Sequence, residues 1–87
     1  MNQDEQCKAL GRSLSLLGAM EVDQTMPRAL RLEASQIAQS LKEESGSLDL
    51  KCSEAIYRLE RFSRDPNIPA HSRAIIWQIV GDLSTLS

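Results

Sequence analysis
One histidine, two cysteines, a short arginine run and a lone tryptophan carry most of the chemistry this 87-residue sequence can offer. A histidine acts as a general base only on a nucleophile, or beside a carboxylate, that the fold arranges for it. Nothing around His71 supplies either in a known pattern, so a surface or capping role is expected of it. Cys7 and Cys52 lie far apart, without a Cys-x-x-Cys pair, and with one histidine they cannot fill a tetrahedral zinc site. Two buried thiols are expected, with a single disulfide as the alternative. No acidic loop has the spacing of a calcium site. Glycine-rich phosphate loops, His-Glu-x-x-His and Gly-x-Ser-x-Gly are all missing from the sequence. The expectation is therefore no catalytic residue, no metal and no cofactor, and a protein that is not an enzyme.

Two surfaces remain as binding candidates. Trp77 falls just outside the apolar arc of its predicted helix, with Arg73 one turn before it and Gly81 one turn after. Tryptophan and arginine are favoured interface anchors, and a glycine admits close approach. Arg73 is also placed to stack on the indole. The other reading of Trp77 is that it closes the edge of the core. Arg58, Arg61 and Arg64 step along one face of a second helix with Tyr57 beside them, a pattern suited to phosphates and a stacked base. Glu54 and Glu60 interrupt that face, and the chain's net charge is −2, which speaks against a surface built on phosphate contacts. A solvated face with local ion pairs is the other reading of it.

The elements that must position these groups repeat. Asp23, Pro27 and Arg31 recur forty-two positions later as Asp65, Pro69 and Arg73, with Asp-x-x-x-Pro-x-x-x-Arg spacing in both. Leu14, Leu17, Met20, Met26, Gln36, Ile37 and Leu41 recur in step as Ile56, Leu59, Phe62, Ile68, Gln78, Ile79 and Leu83. One helical hairpin used twice, over about 4–44 and 48–86, accounts for this in a single domain spanning 1–87. At 41% hydrophobic but only 3% aromatic, the chain suits helices packed through Leu, Ile, Ala and Met better than a β-sandwich.

Apolar residues at three- and four-residue steps predict four helices. The first runs from about Asp4 to Val22, with a stripe of Cys7, Leu10, Leu14 and Leu17 and Met20 at its edge; Gly11 and Gly18 weaken it, or in the other reading offer close approach to a neighbour. In the second, Thr25 is the expected N-cap and Pro27 lies in the first turn; Leu30, Ala34, Ile37, Ala38 and Leu41 face inward. Gly46 stops that helix and Ser47 caps the third, about Leu48 to Arg64, whose inward residues are Leu48, Cys52, Ala55, Ile56, Leu59 and Phe62. Asn67 and Pro69 open the fourth, whose broad apolar face holds Ser72, Ile75, Ile76, Ile79, Val80, Leu83 and Leu86. Short connections make each pair antiparallel. The expected fold is all-α, a four-helix up-and-down bundle, with two stacked hairpins of a short solenoid as the alternative. Each elbow Asp is expected within ion-pair reach of its Arg.

The segment from Arg64 through Asp65-Pro66-Asn67-Ile68-Pro69 to Val80 resembles the signature of a small archaeal family known as uncharacterised protein family 0147. Met26-Pro27-Arg28 resembles the same family in the first half. The resemblance implies an all-helical fold and a cytoplasmic archaeal protein, and it brings no activity or catalytic residue with it. No apolar run approaches the ~20 residues of a membrane span, and the start, Met1 to Glu5, is polar and acidic, unlike a secretory signal. The functional expectation is a helical interaction or assembly protein that forms a homo-oligomer through Arg73, Trp77 and Gly81. The alternative is a nucleic-acid or ribonucleoprotein accessory protein using Tyr57, Arg58, Arg61 and Arg64.

Overall fold
The computed structural model describes residues 3–86; Met1 and Asn2 of the polar start lie outside the described residues. Four helices follow one another: α1 (Gln3–Glu21), α2 (Arg28–Lys42), α3 (Leu48–Ser63) and α4 (Ala70–Ser84). α1 packs on α2, α2 on α3, α3 on α4, and α4 closes the ring on α1, with no close backbone approach across either diagonal among the described residues. This is the up-and-down bundle rather than the solenoid. The molecule measures 37 × 21 × 19 Å.

Local chemistry explains the joints. α2 ends at Lys42 with Glu43 in extended conformation as its C-cap, not at Gly46 as expected; Gly46, at φ +84°, instead turns the chain inside the joint, just before Ser47, without a Cβ penalty. Ser47 then accepts the Leu50 amide at 3.4 Å as the N-cap of α3, and the Lys51 ammonium donates to the Glu43 carbonyl just past the end of α2. The other two joints differ from expectation. Pro27 and Pro69, not Thr25 and Asn67, are the N-caps, and neither supplies a side-chain bond. A residue before proline is kept out of the helical region, which fixes the helix start at the proline. The capping work moves to the aspartates. Asp23 Oδ1 accepts the Thr25 amide at 2.9 Å, and Asp65 Oδ1 accepts the Asn67 amide at 2.8 Å. The Asp23 and Asp65 carbonyls also accept the amides of Met26 and Ile68, whose side chains plug the core. Each elbow is thus an Asx-turn wrapped on a β-turn.

The core is built as the patterns of α2 and α4 indicate: Leu30, Ala34, Ile37, Ala38 and Leu41 are buried from one, and Ser72, Ile76, Ile79, Val80 and Leu83 from the other. In α3, Cys52, Ala55, Leu59 and Ser63 are buried and Ile56 and Phe62 partly so, whereas Leu48 is exposed at the first turn. α1 is rotated from expectation. Its buried line is Ala9, Ser13, Leu17 and Met20, with Leu10, Leu14 and Leu16 partly buried at the flanks. Small residues at the centre let α1 seat between α2 and α4, and its leucines divide between the two seams. Cys7 lies about 120° from Ser13 around the helix, and is exposed. One thiol of the expected buried pair is therefore at the surface, and both are free. Nothing lies within 4 Å of a Cβ placed at Gly11 or Gly18, so among the described residues these glycines serve no close helix contact.

Ser13 and Ser72 are fully buried, and their hydroxyls find no hydrogen-bond partner among the described residues. An unpaired buried hydroxyl costs stability that alanine would recover, and alanine is also the better helix former. Ser13→Ala and Ser72→Ala are each expected to raise unfolding free energy by about 1 kcal/mol. Denaturant midpoints check this; a loss of similar size would mean that the hydroxyl is bonded.

Candidate functional site
The repeated aspartates and arginines do not form the expected ion pairs. Arg73 reaches from the first turns of α4 to the end of α3, where Nε donates to the Ser63 carbonyl and Nη2 to the Asp65 carbonyl, both at 2.9 Å. A helix end leaves its last carbonyls without intrahelical partners, and they carry the negative end of the dipole. They draw the guanidinium more effectively than a carboxylate already committed to the Asn67 amide. In the first elbow, Arg31 Nε is buried and has no hydrogen-bond partner among the described residues. Asp23 is taken by other groups.

Those groups are Thr25 and His71. Thr25 Oγ1 lies 2.6 Å from Asp23 Oδ1 and 2.9 Å from His71 Nε2, and Nε2 is 3.7 Å from Asp23 Oδ2. The proton count fixes the roles. The carboxylate has no proton, so the Thr25 hydroxyl donates to Asp23 and accepts from a protonated Nε2 of His71. In this arrangement the trio acts as a tie. It joins the first elbow to the start of α4. Both elbows share one end of the bundle, so an antiparallel ring carries His71 to Thr25; that topology was the signal for a contact 46 positions apart.

The Thr25 hydroxyl, and after it the Thr25 amide and His71, hold the Asp23 carboxyl below its ordinary value. A depressed carboxyl stabilises the fold above its unfolded pKa, and that contribution disappears as pH falls through the folded value. The stability difference between wild type and Asp23→Asn is therefore expected to be largest near neutral pH and to shrink below the usual carboxylate range. Urea unfolding across that range checks it; a difference growing toward acid would contradict it. Cys52 carries the opposite shift, its thiol pushed up by burial and then by Asp49, as expected of an inert core cysteine.

The arginine face is partly spent. Arg58 donates to the Glu33 carboxylate and, at 2.8 Å, to Gln36 Oε1, tying α3 to α2. Arg61, Arg64 and Tyr57 remain exposed. Trp77 is 49% exposed and Gly81 opens onto free space. Trp77 therefore does not close the core, and Arg73 spends its guanidinium on carbonyls instead of offering it to the indole. On the opposite flank of α4, Arg12, Ser15, Leu16, Gln78 and Asp82 line a cleft of about 470 Å³ between α1 and α4. Arg12 Nε and Nη2 hold Asp82 Oδ1 there at 3.2 and 3.0 Å. The sequence did not reveal this cleft, because Ser15 and Gln78 carry no periodic signal. No group of three or more His, Cys, Asp or Glu able to hold a metal occurs among the described residues. None of the described helices is long and apolar enough to cross a membrane.

Four antiparallel helices closed in a ring, with two proline elbows at one end, define an all-α four-helix protein. The chain belongs to the uncharacterised protein family UPF0147, whose profile matches residues 1–86. It is 31% identical over 86 residues to a UPF0147 protein of Methanosarcina acetivorans, covering 99% of this chain and 89% of that one. The crystal structure of a UPF0147 protein from Thermoplasma acidophilum superposes with a TM-score of 0.93 at 31% identity, covering 97% of this chain and 99% of that one. A second crystal structure, of the unknown-function protein MMP1188, gives 0.83 at 34% identity over 93% and 92% of the two chains.

Proposed function
We propose that this protein is a non-enzymatic assembly module, a homo-oligomer joined through the outer face of α4. The observation that carries this is that no Asp, Glu, Lys or Arg is exposed anywhere on α4, Ala70–Ser84, where Arg73 and Asp82 are half-buried, although Ala70, Ala74, Trp77, Gln78 and Gly81 are exposed. A helix without charge on its solvent side is built to be covered. The other helices expose charge: Lys8 and Arg12 on α1, Arg28 and Lys42 on α2, Glu54 and Arg61 on α3. A partner on α4 would also supplement the thin core of so small a chain.

Sedimentation and Trp77 emission over a dilution series test this. The expected result is an oligomer that dissociates on dilution while the emission shifts to the red. Trp77→Arg is expected to weaken association by about 2 kcal/mol, roughly thirtyfold, with helicity unchanged. A monomer at every concentration, with constant emission, would overturn the proposal. RNA retention that falls steeply with salt would instead favour the surface of Arg61, Arg64 and Tyr57.

A further inference from the structure
From the two flanks of α4 we infer that the partner on this face is a second copy, and that each copy seats its Trp77 in the other's α1–α4 cleft. This deepens the assembly proposed above and rests on it. Arg73, one turn before Trp77 on the same side of α4, bonds the end of α3, so Trp77 stands on the α3 flank. Asp82 bonds Arg12 and His71 reaches Thr25, so the opposite flank, with the cleft, faces α1. Ridge and cleft thus run side by side along one face, whose two charged lining residues, Arg12 and Asp82, pair with one another. The pairs Arg12–Asp82 and Thr25–His71 also set the register, which places Leu16 opposite residues 78–80, within one helical turn of Trp77.

A two-fold axis lying in the interface and running along α4 keeps the two α4 helices parallel and exchanges the flanks. Each ridge then lies over the other copy's cleft, in two identical contacts, as an isologous interface requires. An axis across α4 would make the helices antiparallel and set tryptophan on tryptophan, leaving both clefts empty. Charge agrees with a second copy. Two chains of net charge −2 can meet closely only where neither presents that charge, and Arg12 and Asp82 already neutralise one another at the cleft.

The test mixes two full-length copies, both Cys7→Ser to remove the exposed thiol. One is Trp77→Phe and carries a nitroxide quencher on Ser15→Cys; the other is unlabelled and keeps Trp77. With the labelled copy in about tenfold excess, most of the Trp77 emission should be lost on mixing, and a label on Gln39→Cys, on the outer side of α2, should leave it intact. Ser15→Arg, at an exposed position, should raise the dimer Kd at least about tenfold. Dimers that show no quenching from position 15, or no response to Ser15→Arg, would overturn the cleft while leaving the assembly standing. Absence of dimers at any concentration would overturn both.

Discussion
Arg73→Met should cost about 2 kcal/mol of stability, whereas Arg31→Met should cost less than about 0.5 kcal/mol or be neutral. The two arginines occupy matching places in Asp-x-x-x-Pro-x-x-x-Arg, and sequence alone gives no reason to separate them. Their surroundings do. Arg73 makes two charge-assisted bonds, one to the Ser63 carbonyl at the end of α3 and one to the Asp65 carbonyl of the elbow, which otherwise has only a long bond from the Ile68 amide. Removing it leaves those carbonyls to water in a partly buried site. Arg31 has a buried Nε with no bond to lose. For a domain of this size the Arg73 change corresponds to a fall in Tm of roughly 8–16 °C. Paired thermal and urea unfolding of the two variants checks it. Equal losses would show that Arg31 caps the end of α1 in solution as Arg73 caps α3.

Leu17→Ala should cost about 3 kcal/mol or more, a large part of the total stability of a chain with so thin a core. Leu17 is fully buried on the line of α1 that faces the centre of the ring, and a close-packed interior relaxes only in part into the space a leucine leaves. Leu50→Ala is the matched control: Leu50 is 70% exposed, and its loss should stay within about 0.5 kcal/mol of wild type. Denaturant midpoints of the two variants give the comparison. A small effect at Leu17 would mean that α1 is rotated toward the Leu10 and Leu14 side instead.

That rotation marks where sequence reading ran short. α2 and α4 each have an apolar arc with a clear centre, and their buried residues could be read directly from spacing. α1 has an arc as wide as two seams, with its leucines on the flanks and Ala9 and Ser13 in the middle. Hydrophobicity alone put the centre on the leucines and carried Cys7 inward with them. The elbows were legible as turns, because proline and the aspartate before it are unambiguous local signals. Their bonds were not, since choosing between a carboxylate and a helix-end carbonyl as the target of Arg73 needs three-dimensional placement. The tie from His71 to Thr25 was open to deduction once the helices were taken as antiparallel. The exposed Trp77 stood on the sequence as an ambiguity between core edge and surface, and its exposure decides for the surface.

The ring of contacts has a consequence for chain order. Because α4 closes on α1 and no diagonal pair of helices comes into close backbone approach among the described residues, the four interfaces do not depend on which connection is covalent. Glu5 and Thr85 line one small cleft, so the first turn of α1 and the end of α4 are neighbours. A circularly permuted chain running α3, α4, a short linker, α1, α2, opened at the exposed Glu43–Ser47 stretch, would bury the same side chains in the same seams. What such a permutant gives up is the Ser47 cap and the Lys51 link to Glu43, both local to the cut.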